Sequence, residues 1–177
     1  MKVLTIYQPW ASLLVHGIKK FETRSKPSSY QGTYLIHAAK KWTAEQIAIC
    51  ASEPFITALR ELGLSNNPID NIFPTGCIVG AAELAGCYPV QNPHAHIPEP
   101  WFDRVDGRSW ETIFINETEQ EYGDYSPGRY VWEFKNHRYL VDPIPYKGGQ
   151  GYYRKLQADQ AVLDIIQTSS SYKIHEI

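Results

Sequence analysis

The sequence is poor in the features that mark secreted, membrane-spanning and metal-binding proteins. It holds an odd number of cysteines, Cys50, Cys77 and Cys87, and their spacing fits neither a disulfide framework nor a CxxC metal motif. No run approaches the roughly 20 apolar residues that a transmembrane helix needs, and the N-terminal residues lack the pattern of a signal peptide. We therefore expect a cytoplasmic protein with buried free thiols and no membrane partner.

The length and composition predict one domain. The 177 residues are 43% hydrophobic and 13% aromatic, which is enough to bury one core and too rich in large apolar groups for a disordered chain. From about Pro89 to Pro127 the sequence is acidic and rich in proline, which favours an insertion. We predict a single domain over residues 1–177 with an insertion at about 89–127.

The net charge of −2 excludes no class of partner, because the charge is unevenly distributed along the chain. Residues 1–60 hold eight Lys and Arg against three acidic residues, for a net charge of +5, whereas residues 61–128 carry −9 and residues 129–177 carry +2. The two ends of the chain can therefore form a basic face that suits a phosphate-bearing partner. The alternative is that these cations are simply solvated.

Apolar periodicity and capping signals predict an α+β fold. Thr43 and Gln46 form a capping-box pattern that opens a helix, and Pro9 and Gly17 bound an earlier helix. Short strands, few helices and glycine-marked bends indicate a small mixed β-barrel with peripheral helices. The predicted strands are 3–6, 20–24 and 33–37 (the last two paired as a hairpin), 77–85, 129–135 and 137–142, and the predicted helices include 10–16 and 158–166.

The most informative motif is Gly17-Ile-Lys19-Lys20-Phe-Glu22-Thr-Arg24. Glycine ends the helix, and the period of two in the following strand places Lys20, Glu22 and Arg24 on one face. Glu22 between cations should stay ionised and orient Arg24, whose planar guanidinium can bind a phosphate or a base edge through two hydrogen bonds. The alternative is a solvated sheet surface, on which charged alternation is common.

The motif is part of a longer pattern that resembles the ASCH domain, a member of the PUA-like superfamily. The resemblance implies a β-barrel surrounded by helices, with a basic cleft between the first helix and the barrel that suits RNA, DNA or a modified nucleobase. It covers most of the chain apart from the predicted insertion. The segments that carry it are LTIYQPWAS at 4–12, the motif at 17–24, GTYLIHA at 32–38, GCIVGAAEL at 76–84, RYVWEF at 129–134 and KGGQG at 147–151.

The resemblance also implies which side chains face the cleft. Aromatic rings at the first strand-to-helix turn could stack on a base, and a neighbouring carboxamide could read its edge. For Trp10, packing in the core is the alternative. The glycine-rich loop offers a cation, an amide and a backbone that can approach a ligand closely. The predicted ligand-binding residues are Tyr7, Gln8, Trp10, Ser12, Lys19, Glu22, Arg24, Lys147 and Gln150.

Two functions remain open. The first is a module that binds RNA, another single-stranded nucleic acid or a modified nucleoside. The second is a metal-independent hydrolase, because one branch of the superfamily is an amidohydrolase that cleaves N4-acetylcytidine with lysine, threonine and glutamate. Lys19 matches that lysine as base or nucleophile, Glu22 stands in place of the threonine, and Glu83 is a candidate for the glutamate. We expect no cofactor and no metal, since His94 and His96 have no further ligand at suitable spacing.

Overall fold

The structure is a computed structural model that describes residues 1–63, 73–91, 99–106, 109–148 and 172–174. Within these ranges a mixed sheet packs against short helices, so the predicted α+β class is confirmed. The strands are β1 (Lys2–Ile6), β2 (Phe21–Arg24), β3 (Gly32–Ala38), β4 (Cys77–Pro89), β5 (Trp101–Asp106), β6 (Ser109–Phe114), β7 (Tyr130–Pro145) and β8 (Tyr172–Ile174). The helices are α1 (Trp10–Val15), α2 (Ala44–Cys50), α3 (Phe55–Glu61) and α4 (Glu117–Glu121).

The main sheet has the strand order β1-β3-β4-β7-β2, with β8 also paired to β7. β1 runs parallel to β3, and the other neighbours in this order are antiparallel. β5 and β6 form a separate antiparallel hairpin. Among the described residues no ladder joins β1 to β2, so the closed barrel predicted from the sequence is not found there. β1 and β2 are instead the two ends of the strand order.

The predicted hairpin between the second and third strands is wrong. β2 pairs with β7, where Arg24 lies opposite Tyr130, whereas β3 lies between β1 and β4. The segment that joins β2 to β3 crosses from one part of the sheet to another, and Trp132 Nε1 holds it by donating to the carbonyl oxygen of Lys26 at 3.1 Å. Alternation identifies a strand and its buried face, but it does not identify the neighbouring strand.

Helix α1 follows Pro9 and ends before Gly17, as the sequence predicts. Gly17 has a φ of 79°, a left-handed conformation that glycine adopts without steric cost. Beyond it, the backbone N–H groups of Ile18 and Lys19 both donate to the carbonyl oxygen of Leu13. This tight turn directs the chain back beneath the helix, where the side chain of Lys19 is fully buried.

The predicted capping box at the start of α2 is confirmed. Thr43 Oγ1 accepts from the backbone N–H of Gln46, and Gln46 Oε1 accepts from that of Thr43. Helices α2 and α3 form an apolar cluster around Phe55, which also takes in Leu13 of α1 and Tyr122 beyond α4. The helical layer is therefore connected to the acidic part of the chain.

The acidic segment that the sequence marked as an insertion holds the β5–β6 hairpin and α4. Phe102, Ile115 and Tyr125 of this segment pack with Val131 of β7 in a small apolar core. The side-chain oxygen of Asn116 caps α4 by accepting from the backbone N–H three residues later. These contacts attach the segment to the same region of the sheet as β2.

The buried free thiols expected from the sequence are found at Cys50 and Cys77, whereas Cys87 is only half-buried. Burial raises the pKa of Cys50 to about 11.

Within the described ranges, no helix is long and apolar enough to cross a membrane. The helix predicted at 158–166 lies outside the described residues.

The surroundings of two glycines in β4, Gly80 and Gly86, predict different losses of stability when each is replaced by alanine. A Cβ at Gly80 would overlap the carbonyl oxygen of Arg138 on β7, whereas a Cβ at Gly86 would overlap the hydroxyl end of Tyr88. Because a tyrosine side chain can rotate and a paired backbone cannot, we expect Gly80→Ala to lower the free energy of unfolding by about 3 kcal/mol. Gly86→Ala should cost clearly less in the same urea denaturation experiment, and equal losses would contradict this account.

Candidate functional site

A cleft of about 1640 Å³ opens between the two ends of the strand order. Residues 3–6 of β1 line one side, and residues 22–24 of β2 line another. The ends of β3 and β7 and the loop after α4 complete its walls. The cleft therefore lies where the two end strands of the sheet are not joined by a backbone ladder.

Arg24 connects the two strands across this cleft. Its Nη2 donates to Glu22 Oε1 at 2.9 Å and to the carbonyl oxygen of Thr5, on β1, at 3.1 Å. The side chain of Arg24 is 30% exposed and that of Glu22 is 12% exposed. A charge-assisted hydrogen bond of this kind holds a guanidinium in a defined orientation. The structure thus brings together the two motif residues that the strand periodicity placed on one face.

A second arginine lines the same cleft. Arg129 Nη1 lies 3.3 Å from Asp124 Oδ2, and its Nη2 donates to the carbonyl oxygen of Thr23 at 3.1 Å. In the described part of the chain, two buried side-chain nitrogens have no hydrogen-bond partner, and they are the Nε atoms of Arg24 and Arg129. Both belong to cleft-lining side chains, although sequence reasoning had selected only Arg24.

Lys19 does not line the cleft but lies fully buried behind it. Its Nζ donates to the carbonyl oxygen of Tyr122 at 2.8 Å, with Glu22 Oε2 at 3.8 Å and Glu119 Oε1 at 4.0 Å. Burial lowers the pKa of Lys19, and the two carboxylates oppose that shift. The ammonium therefore joins the motif strand to α4, and it has no direct path to a ligand in this arrangement.

Glu119 lies on α4 in the acidic segment, and it is a site residue that the sequence analysis did not select. Its carboxylate is buried and accepts hydrogen bonds from the backbone N–H groups of Lys20 at 3.2 Å and Phe21 at 3.3 Å. Tyr125 donates its hydroxyl to the same carboxylate at 3.4 Å. Burial raises the pKa of Glu119, and the nearby Lys19 opposes the shift.

The predicted aromatic residues both reach the cleft. Tyr7 is 43% exposed, which leaves one ring available for stacking. Trp10 is half-buried, and its ring meets Phe55 edge-on at 5.9 Å between centroids. Trp10 therefore packs on the helical layer, which is the alternative given for it, and it also lines the cleft.

Gln8 and Ser12 were predicted to bind a ligand, but the structure does not bring them to the cleft surface. Gln8 is buried, its Nε2 donates to the carbonyl oxygen of Pro74 at 2.9 Å, and its Oε1 accepts from the backbone N–H of Ser12 at 3.1 Å. Ser12 is buried within α1. The carboxamide of Gln8 thus holds the start of the helix instead of presenting an edge to a base.

One end of the cleft is lined by three exposed lysines, Lys40, Lys41 and Lys147. Lys147 was predicted from its glycine-rich loop, whereas Lys40 and Lys41 were missed. The signal that could have identified them is their position directly after a strand in the basic first third of the chain. Gln150, the other predicted loop residue, lies outside the described residues.

His37 connects this end of the cleft to the Arg24 contact. Its Nε2 lies 3.1 Å from the carbonyl oxygen of Tyr146, which can only accept, so Nε2 carries the proton and Nδ1 accepts from Thr5 Oγ1 at 3.2 Å. Burial lowers the pKa of His37. The same Thr5 supplies the carbonyl oxygen that Arg24 binds, so β1, β2 and the end of β7 meet at this residue.

Among the described residues, neither a metal site nor Glu83, the candidate catalytic glutamate, is found at the cleft. No group of three His, Cys, Asp or Glu side chains in the described residues could hold a metal ion. Glu83 does not line the cleft; it accepts from Asn136 Nδ2 at 2.8 Å and pairs with Lys135 at 3.5 Å on the sheet surface. His94 and His96 lie outside the described residues.

The burial of Lys19 beside Glu119 predicts that substitutions at these two residues have non-additive effects on the free energy of unfolding. We expect Lys19→Met to lower the free energy of unfolding by about 3–5 kcal/mol, because it removes the cation beside the buried carboxylate of Glu119, whereas Glu22 keeps its contact with Arg24. Adding Glu119→Gln should recover part of this loss, since it removes that buried negative charge. Lys135→Met, at an exposed ion pair, should cost less than about 1 kcal/mol. A double variant as unstable as the sum of the single variants would contradict the coupling.

The same substitution predicts a pH dependence with a definite sign. Without Lys19 the pKa of buried Glu119 should rise further above its unfolded value of about 4.3. An acid whose folded pKa is raised contributes stability below its unfolded pKa and loses it as the pH rises through the folded pKa. The deficit of Lys19→Met relative to the unsubstituted protein should therefore be larger at pH 8 than at pH 5 in urea titrations. A deficit that is larger at pH 5 would contradict this assignment.

The sequence of this chain is similar to a known domain family and to two known proteins. The model of the ASCH domain family matches residues 4–146. The chain is 33% identical over 85 residues to Activating signal cointegrator 1 of Homo sapiens, and 34% identical over 96 residues to the protein of that name from Mus musculus. These alignments cover 48% and 54% of this chain but only 14% and 16% of the relatives, so the chain corresponds to a small part of their length. Because the family model spans most of the sequence and includes the Gly17–Arg24 motif, the chain belongs to the ASCH domain family.

Proposed function

We propose that the chain is a binding module for nucleic acid, with RNA, another single-stranded nucleic acid or a modified nucleobase bound in the cleft between α1 and the sheet. Membership of the ASCH family supports an association with nucleic acid in general. In this proposal Arg24 contacts a phosphate or a base edge, and Glu22 holds its guanidinium in place. Tyr7 and Trp10 supply the aromatic surface for a base.

The observation that carries this proposal is the pair of unsatisfied donors. Buried polar groups without a partner are few in folded proteins and cost about 1–3 kcal/mol each. Here the two side-chain nitrogens of this kind in the described residues belong to Arg24 and Arg129, and both side chains line the cleft. A small adjustment of either guanidinium would let a ligand oxygen accept from it. Anionic or acceptor-rich ligands such as nucleotides would recover that cost on binding.

The hydrolase alternative receives less support from this geometry. A lysine that acts as a base or nucleophile must come within hydrogen-bond distance of the substrate. Lys19 is fully buried, donates to Tyr122 and does not line the cleft. Glu22, the other candidate catalytic group, is held by Arg24, and Glu83 lies away from the cleft.

The barrel that the family resemblance implies belongs to the same proposal. Its two candidate closing strands, β1 and β2, are connected by the hydrogen bond from Arg24 to Thr5 instead of by a backbone ladder. A ligand that binds Arg24 would therefore occupy the seam of a barrel closed by side chains. Placement in a seam would give the ligand contact with both strands at once.

Replacing Arg24 tests the binding function. If Arg24 makes a bidentate contact, Arg24→Ala should weaken binding of a single-stranded RNA by about 1–3 kcal/mol, or roughly 5- to 150-fold in Kd. Arg60→Ala is the matched control, because Arg60 is exposed on α3 and does not line the cleft. Fluorescence anisotropy gives the two Kd values, and thermal melts show whether each variant is folded. Equal effects of the two substitutions on folded protein would reject Arg24 as a binding residue.

A second experiment tests the hydrolase alternative directly. Incubation with N4-acetylcytidine, followed by chromatography for cytidine, should show no release above the uncatalysed background, because Lys19 cannot reach the cleft. If the unsubstituted protein releases cytidine and the folded Lys19→Met/Glu119→Gln double variant does not, hydrolysis replaces binding as the proposed function. The double variant is used because Lys19→Met alone leaves an uncompensated buried charge.

A further inference from the structure

We infer that Lys40, Lys41 and Lys147 form an anion subsite at one end of the cleft, and that this subsite takes the phosphate groups of a nucleic-acid backbone. For this choice of ligand the inference rests on the proposed function. The presence of an anion subsite rests on the lysines alone. We refer to these three residues as the lysine cluster.

The first argument is that the lysine cluster is held together by the fold. Its members come from the segment after β3 and the segment after β7. The backbone N–H of Gly76 donates to Ala38 at 2.8 Å, and the backbone N–H of Tyr146 donates to Gly76 at 3.0 Å. These two bonds connect the segments that carry the lysines through the residue preceding β4.

Close packing supports the same arrangement. The aliphatic part of Lys40 lies beside Gly76, where a Cβ would be 3.6 Å from the Cβ of the lysine. Gly148 lies so close to the His37 ring that a Cβ at this position would overlap it. His37 in turn bonds to the carbonyl oxygen of Tyr146. Gly148, which follows Lys147, therefore packs against His37 near the end of β3, three residues before Lys40.

The second argument is that no described acidic side chain neutralises the charge of the lysine cluster. None of the three lysines forms an ion pair within the described part of the chain. The acidic side chains that line the cleft, Glu22, Glu121 and Asp124, come from β2 and from the region of α4. Two of these acids already contact the cleft arginines.

The difference between the two kinds of cation indicates different roles. An arginine held by a carboxylate is oriented but largely neutralised, which suits recognition of a defined edge. An exposed lysine is a mobile point charge, which suits a phosphate whatever the base. Three such charges at one end favour a ligand whose backbone passes the lysine cluster while its base lies towards Arg24 and the aromatic residues.

The test compares the lysine cluster with lysines and arginines elsewhere. The variant K40A/K41A/K147A removes three positive charges from the cleft, and the control K20A/R60A/K135A removes three from exposed positions that do not line it. The probe is a 3′-labelled decauridylate, and anisotropy titrations at several KCl concentrations give the slope of log K against log salt. Each neutralised phosphate on a single strand contributes about −0.7 to this slope.

We expect the slope of K40A/K41A/K147A to be shallower than that of the unsubstituted protein by roughly 2, the sum of three contacts. The control variant should change the slope by less than about half of the change seen with K40A/K41A/K147A, because its charges act only at a distance. Equal slopes for the two variants, with the unsubstituted protein still binding decauridylate, would overturn the phosphate assignment while the proposed function stands.

A second probe separates the subsite from the proposed function. Inorganic triphosphate is added to the unsubstituted protein, and backbone amide shifts are followed by NMR. Shifts concentrated at 38–41, 76 and 146–148 would support the anion subsite, and shifts spread evenly over exposed cations would overturn it. If triphosphate gives the concentrated pattern but decauridylate does not bind, the proposed function fails and free phosphate replaces the nucleic-acid backbone as the source of the anion.

Discussion

The buried ammonium of Lys19 is the interaction on which the rest of the site depends. It donates to Tyr122, beyond α4, and lies within 4.0 Å of Glu22 and Glu119. Burying a charge is costly unless it is hydrogen-bonded and paired, so the acidic segment and the motif strand must meet for Lys19 to be accommodated. Through Glu22 the same cluster orients Arg24, and through Glu119 it fixes the backbone at the start of β2. Lys19 thus connects α4 and the residue after it to Glu22 of β2, which in turn holds Arg24 at the cleft.

Local signals in the sequence predicted local structure well. The capping box of α2, the helix between Pro9 and Gly17 and the strands at β1, β4 and β7 follow from residue types within a few positions of each other. The partner of β2 could not be predicted, because pairing with β7 joins residues more than 100 positions apart. Periodicity gives the face of a strand, whereas the choice of neighbour is made by the packing of the whole sheet.

The candidate site likewise has one part that local sequence predicts and one part that depends on distant contacts. The proximity of Glu22 and Arg24 follows from a period of two, and the structure gives them a direct contact. The burial of Lys19 could not be read from its neighbours, since it is closed off by Tyr122 and Glu119 from a segment about 100 residues later. In sequence Glu119 resembles the acids around it, and its burial and its contacts with Lys19, Tyr125 and the start of β2 distinguish it from them. A charged residue in an acidic run therefore carries little information until its tertiary partner is known.

The hydrogen bond from Arg24 to Thr5 also bears on association through strand edges. Strands at the end of a sheet present backbone groups that can pair with another chain, and charged side chains placed on such an edge oppose this pairing. Arg24 belongs to β2 and donates to the carbonyl oxygen of Thr5 on β1, so its guanidinium covers a backbone acceptor of the strand at the other end of the sheet order. A ligand that drew this guanidinium away would uncover that acceptor and would have to cover it itself. Under the proposed function, the same side chain would therefore serve both binding in the cleft and protection against edge-to-edge association.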